Sequence, residues 1–126
     1  MTEKLQNKKK NLERALTEFR EYCAIEKPKK VEMAGTIQGF EFTLEVFWKY
    51  FKALGESKGF QIDSPRSAIG AALQMGLLSD ESIWINMLKD RNNTSHIYNA
   101  EVAKQIHGRV VAEYLPEFLR VQAKIP

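Results

Sequence analysis

The stretch IQGFEFTLEVFWKYFKAL, residues 37–54, carries the strongest helical period of the sequence. Within it Ile37, Phe40, Leu44, Phe47, Phe51 and Leu54 recur three and four apart, the spacing that lines up side chains on one face of an α-helix. Phe42, Val46 and Tyr50 draw a second apolar stripe. A helix apolar over so much of its circumference packs on several sides, or on one side against another chain.

The same period runs outward in both directions. Upstream, Leu5, Leu12, Leu16, Phe19 and Cys23 form one stripe, and Pro28 stops that helix because the residue before a proline is pushed out of helical geometry. Downstream, Gly55 and Gly59 are expected to end the central helix. Asp63-Ser64-Pro65 reads as an N-cap followed by proline at the first helical position, opening a short helix through Ile69, Ala72, Leu73 and Leu77 that closes near Gly76. Ser79-Asp80-Glu81 announces another helix, carried by Ile83, Trp84, Met87, Leu88 and Arg91. After a polar interruption, Asn99 restarts the chain through Ala103, Ile106, Val110, Tyr114, Phe118 and Val121, with a kink or restart expected at Pro116. No strand pattern competes. Four long helices and a short one, joined by short loops, make an all-α helical bundle, read as one domain over residues 1–126.

The 126 residues carry 19 Lys+Arg against 16 Asp+Glu, a net +3. Residues 1–30 hold nine Lys/Arg and five Glu, a local +4, and the remainder carries −1. The basic surplus therefore sits in a mixed-charge amphipathic helix, whose plain reading is a solvated face. A single cysteine, Cys23, excludes an internal disulfide framework and cysteine-rich zinc modules. Its place on an apolar stripe makes it a small buried hydrophobe. No run of apolar residues approaches a membrane span, and the opening Met1-Thr2-Glu3-Lys4 lacks the apolar core of a secretory signal. The expectation is a soluble, cytoplasmic protein.

Little chemistry survives elimination. His96 and His107 are eleven apart with no ligand spacing around them, so no metal is expected. Without strands, nucleotide-binding fingerprints have no place. Glu41, Glu45 and Lys49 read as a solvated helix edge, and His107 as a surface residue. What remains is Asp90-Arg91-Asn92-Asn93-Thr94-Ser95-His96-Ile97-Tyr98. A histidine near neutral pKa can take the proton of a ribose 2′-hydroxyl or deliver one to a leaving oxygen. An arginine can hold phosphate bidentately and stabilise transition-state charge. On a regular helix, however, Arg91 and His96 would point about 140° apart. For both to meet one substrate the helix must distort around Asn92–Ser95, Arg91 must curl round it, or a second chain must complete the site.

The string from Gln38 to Lys49, then Ser64-Pro65-Arg66, Gly76-Leu77-Leu78, Trp84 with Met87, and Asp90 to Tyr98, closely resembles the nucleotidyltransferase substrate-binding proteins, a branch of the HEPN superfamily. The resemblance implies a four-helix up-and-down bundle that forms a homodimer and is encoded beside a minimal nucleotidyltransferase. Arg91-Asn92-Asn93-Thr94-Ser95-His96 matches the family's Arg-polar-x-x-x-His motif residue for residue. In many members two such motifs meet in the dimer cleft and cleave RNA without metal or other cofactor. In toxin–antitoxin members the motif extends to His-x-Tyr, as His96-Ile97-Tyr98 does here, and the partner silences the toxin by moving adenylate from ATP onto that tyrosine. Phe40, Phe42 and Trp48 match the family's aromatic helix and are assigned to core and dimer packing. Gly70 departs from the pattern, and glycine inside a helix costs up to about 1 kcal/mol, so the short helix is expected to be loose.

These implications give a metal-independent endoribonuclease toxin with Arg91 and His96 catalytic, Asn92 positioning the substrate, and Tyr98 the site of adenylylation. The alternative is a non-catalytic substrate-binding subunit of a two-component nucleotidyltransferase. A small nucleotidyltransferase in the neighbouring reading frame would support either and argue against an unrelated adaptor.

Overall fold

A computed structural model describes residues 2–126. Helix α1 (Glu3–Cys23) begins where the Thr2 hydroxyl accepts from the Leu5 N–H at 3.2 Å, an N-cap that satisfies one of the free amides of the first turn. It closes at Cys23, five residues ahead of Pro28, and the connection turns through Lys27 at φ +48°. Helix α2 (Lys30–Ser57) opens with the Glu32 carboxylate accepting from the Lys29 N–H at 2.8 Å.

Gly55 does not end α2, contrary to the sequence reading. It lies buried inside the helix, where a Cβ would stand 2.6 Å from Ile62 Cδ1, so its role is to let the following segment fold back closely. The terminator is Gly59 at φ +93°. The Phe60 N–H donates to Gly55 O and the Gly59 N–H to Glu56 O, a paired closure that needs a left-handed residue in the middle. Gly76 at φ +80° ends helix α3 (Pro65–Gln74) in the same way. Ser64 caps α3 as expected, and Pro65 takes its first turn. Gly70 leaves α3 regular through all ten residues.

Helix α4 (Ser82–Asn92) is started by the Asp80 carboxylate, which accepts from the Ser82 N–H and hydroxyl. The last long helix comes in three pieces: α5 (Ala100–Arg109), a wide π turn (Val110–Tyr114) and α6 (Leu115–Gln122). The irregularity expected at Pro116 therefore falls in the turn before it. Proline has no N–H to return to the preceding turn, and the backbone has already shifted register when Pro116 is reached.

Contacts along the axis set the topology. Lys4 and Lys8 share a groove with Lys52 and Glu56, while Phe19 and Tyr22 meet Gly39, so α1 and α2 are antiparallel. Trp84 bonds to Glu117 and Asp90 to Arg109, so α4 opposes the last helix. The chain is a four-helix up-and-down bundle with α3 as the short extra helix. Aromatic rings fill its middle: Phe118 stands 4.8 Å from Phe47, 5.5 Å from Trp84, 5.9 Å from Phe19 and 6.4 Å from Phe40, centroid to centroid. Of the expected packing residues, Phe40 is core, Trp48 is half-buried, and Phe42 is 57% exposed. Among the described residues no helix is long and apolar enough to cross a membrane.

Candidate functional site

The connection from α4 to α5 lies at one end of the bundle, and a buried acid fixes its base. Asp90 sits three residues beyond Met87 and six beyond Trp84, on the inward face of α4. Its carboxylate accepts from Arg109 Nε at 2.8 Å, Arg109 Nη2 at 2.7 Å and the Tyr114 hydroxyl at 2.5 Å. The bidentate pair ties the C-terminal turn of α4 to the end of α5 and the end of the π turn. Asp90 raises the Arg109 pKa, and burial followed by the Asp90 carboxylate raises that of Tyr114. A second buried acid, Glu117, accepts from the Trp84 indole at 2.8 Å and pairs with Arg120.

Arg91 follows Asp90 directly and is half-buried, with no ion pair among the described residues. Asn92 is the last residue of α4 and is exposed. There the regular helix stops. Asn93 caps it, Thr94–His96 forms one tight 3₁₀ turn, and the Thr94 hydroxyl donates back to Arg91 O at 2.8 Å. The regular helix thus breaks within Asn92–Ser95, the place of the first of the three alternatives raised by the 140° separation. Ile97 packs against the core and anchors the far side. Asn99 then caps α5, its side-chain oxygen accepting from the Glu101 and Val102 N–H groups.

His96 is exposed, and Tyr98 is 76% exposed. Their ring centroids are 6.1 Å apart, edge to face. Packing Ile97 inward between them turns both rings outward together, so imidazole and phenol stand side by side at the bundle end. His107 is half-buried, and desolvation lowers its pKa. Cys23 is buried, and burial pushes its thiol up to about 12, which leaves it in the unreactive protonated form. No three of His, Cys, Asp and Glu come together to hold a metal ion among the described residues. A concavity of about 610 Å³ between α1 and α2 is lined by residues such as Phe19, Tyr22, Val31 and Phe42 and includes none of Arg91, His96 or Tyr98. Within one chain Asn92, His96 and Tyr98 of the motif are exposed.

Residues 7–126 match the sequence profile described as nucleotidyltransferase substrate binding protein like. The chain belongs to this family. A probable ribonuclease HepT from Haemophilus influenzae is 31% identical over 83 residues, which is 62% of this chain and 57% of that protein. The chain thus spans little more than half the length of the curated relative it matches. Among solved structures of similar fold, one from Thermus thermophilus has a TM-score of 0.81 and 36% identity, over 90% of this chain and 97% of that one. A second, from Haemophilus influenzae, is described as revealing the fold of a substrate binding domain of a nucleotidyltransferase. It has a TM-score of 0.69 and 25% identity over 95% of both chains.

The Asp90–Arg109–Tyr114 network escaped the sequence reading, which placed Arg91 on the packed stripe. Spacing held the signal: Trp84, Met87 and Asp90 are three apart, so an acid occupied the next position of a buried face. Its partners lie 19 and 24 residues on, and no local period points to them.

Proposed function

We propose that this protein is a metal-independent endoribonuclease, the toxin of a toxin–antitoxin pair, acting as a HEPN homodimer in the cytoplasm. One observation carries the reading. His96 and Tyr98 stand exposed side by side on a connection whose base is fixed by Asp90, with an unpaired Arg91 at its start. His96 of one copy takes the proton of a ribose 2′-hydroxyl, whose oxygen attacks the adjacent phosphorus. The bond from phosphorus to the 5′-oxygen breaks, and His96 of the second copy protonates that leaving oxygen. Arg91 binds the phosphate and stabilises the charge it gains, and Asn92 positions the substrate. The exposure of Asn92, His96 and Tyr98 supports a dimer, because a second copy would supply the opposite wall and the second histidine. A minimal nucleotidyltransferase silences the enzyme by joining the Tyr98 oxygen to the α-phosphorus of ATP and releasing pyrophosphate.

The test is incubation of purified protein with structured RNA in EDTA, beside His96→Ala and Arg91→Ala. Wild type should cut the RNA while each variant loses at least about 100-fold in rate. No cutting by any of them, or equal cutting by all, overturns the reading. Co-expression with the nucleotidyltransferase should add one adenylate mass to the peptide holding Tyr98. Tyr98→Phe should abolish that gain.

The relative described as a substrate binding domain favours a second reading, a subunit that presents substrate to the nucleotidyltransferase. It requires that the chain lower the partner's KM for its substrate while cutting no RNA itself.

A further inference from the structure

Away from His96, α1 and α2 enclose a groove of about 280 Å³ lined by Lys4, Lys8, Trp48, Lys49, Lys52 and Glu56. Lys4 and Lys8 are one turn apart on α1, Lys49 and Lys52 one turn apart on α2, and antiparallel packing sets the two pairs along the same channel. Asp90 shares a level with Tyr114, and Tyr114 stacks on Phe40. Trp48 and Lys52 lie eight and twelve residues farther along α2, roughly 12 to 18 Å up the axis at 1.5 Å per residue.

Two features of this groove lack a partner within the chain. Like charges a turn apart on a helix destabilise it, yet four ammonium groups are gathered here against Glu56 and Glu45. Only Lys49 is ion-paired among the described residues, with Glu45 at 2.8 Å. Trp48 lines the same groove, and its indole N–H is buried with no acceptor, a donor left unsatisfied at a cost in stability. An anionic oxygen would answer both. Lysine stems lie along apolar surface and move their heads freely, so an anion in the groove can draw the ammonium groups inward beside Trp48.

We propose that this groove holds the phosphate backbone of an RNA chain at a distance from the scissile bond. The inference rests on RNA being the substrate class. Lysine ammonium groups bind phosphate as point charges and read no base. The groove therefore supplies affinity without sequence preference, while Arg91 and His96 engage the phosphate that is cut.

The experiment measures the affinity of the His96→Ala protein for a labelled single-stranded oligouridylate across a range of salt concentrations. Each lysine released from a phosphate contact lowers the slope of log affinity against log salt by about 0.7. The triple variant Lys4→Ala/Lys8→Ala/Lys52→Ala should therefore flatten the slope by about 2. A second triple, Lys10→Ala/Lys30→Ala/Lys124→Ala, removes the same charge from exposed positions outside the groove and should leave the slope unchanged. Circular dichroism melts confirm that both triples are folded. Equal flattening by both triples, an unchanged slope in the first, or no binding of RNA at all overturns the proposal. So does a first triple that binds RNA normally but no longer retains the nucleotidyltransferase, which would give the groove to the protein partner. Cleavage is scored separately with wild-type protein. Binding without cleavage removes the nuclease reading and leaves the groove standing, and cleavage with an unaltered slope removes the groove alone.

Discussion

Asp90 and Arg109 share two hydrogen bonds but not one environment. The Asp90 side chain is 8% exposed and that of Arg109 40%, so the two ends of the pair differ in what their loss leaves behind. Arg109→Ala strands a buried carboxylate with only the Tyr114 hydroxyl, a loss expected to cost about 3 kcal/mol or more. Asp90→Ala frees a guanidinium that water already reaches and leaves one phenol unpaired, expected at about 1–3 kcal/mol. Urea denaturation of both variants should rank Arg109→Ala as the less stable. At His107 burial lowers the pKa below the ordinary 6.5, so the unfolded chain takes up the proton first. Stability is then full above about pH 6.5 and falls as pH drops below it. His107→Gln should remove that part of the slope between urea midpoints at about pH 7.5 and about pH 5.5. At Cys23 the raised thiol predicts that iodoacetamide labels the protein only after denaturation.

At the scale of the element, two helical glycines with similar sequence surroundings call for opposite predictions. Gly70 has nothing within 4 Å of where a Cβ would stand, so Gly70→Ala should stabilise the protein by about 0.5–1 kcal/mol. Gly55 would bring a Cβ to 2.6 Å from Ile62 Cδ1. Gly55→Ala should cost about 1–3 kcal/mol through overpacking despite the gain in helix propensity. Shortening the obstacle with Ile62→Val should cancel most of that cost in the double variant, as a thermal-melt cycle will show. Helix caps were legible because they are local: Ser64-Pro65, Asn99 and Gly76 each act within a few residues of themselves. The roles of Gly55 and the π turn were not. The first depends on where Ile62 returns, and in the second Tyr114 meets Asp90 and Phe40 from two other helices.

Across the whole molecule the aromatic cluster is the centre of the folding energy. Phe118 touches rings from α1, α2 and α4, so Phe118→Ala should cost about 3–5 kcal/mol in urea denaturation. The bundle was readable because amphipathic period and caps are properties of short segments, and burying those stripes together leaves few arrangements. The motif from Arg91 to Tyr98 was readable as residue types in order. Sequence alone was enough for an all-helical bundle, the starts of α3, α4 and α5, and Arg91, Asn92, His96 and Tyr98 as chemical candidates. It took packing to show that the helix breaks after Asn92, that Ile97 turns His96 and Tyr98 outward together, and that Asp90 is held by Arg109 and Tyr114. The physical reason is range. Local periodicity follows from backbone geometry, whereas a buried carboxylate needs donors that come near it only after the chain has packed.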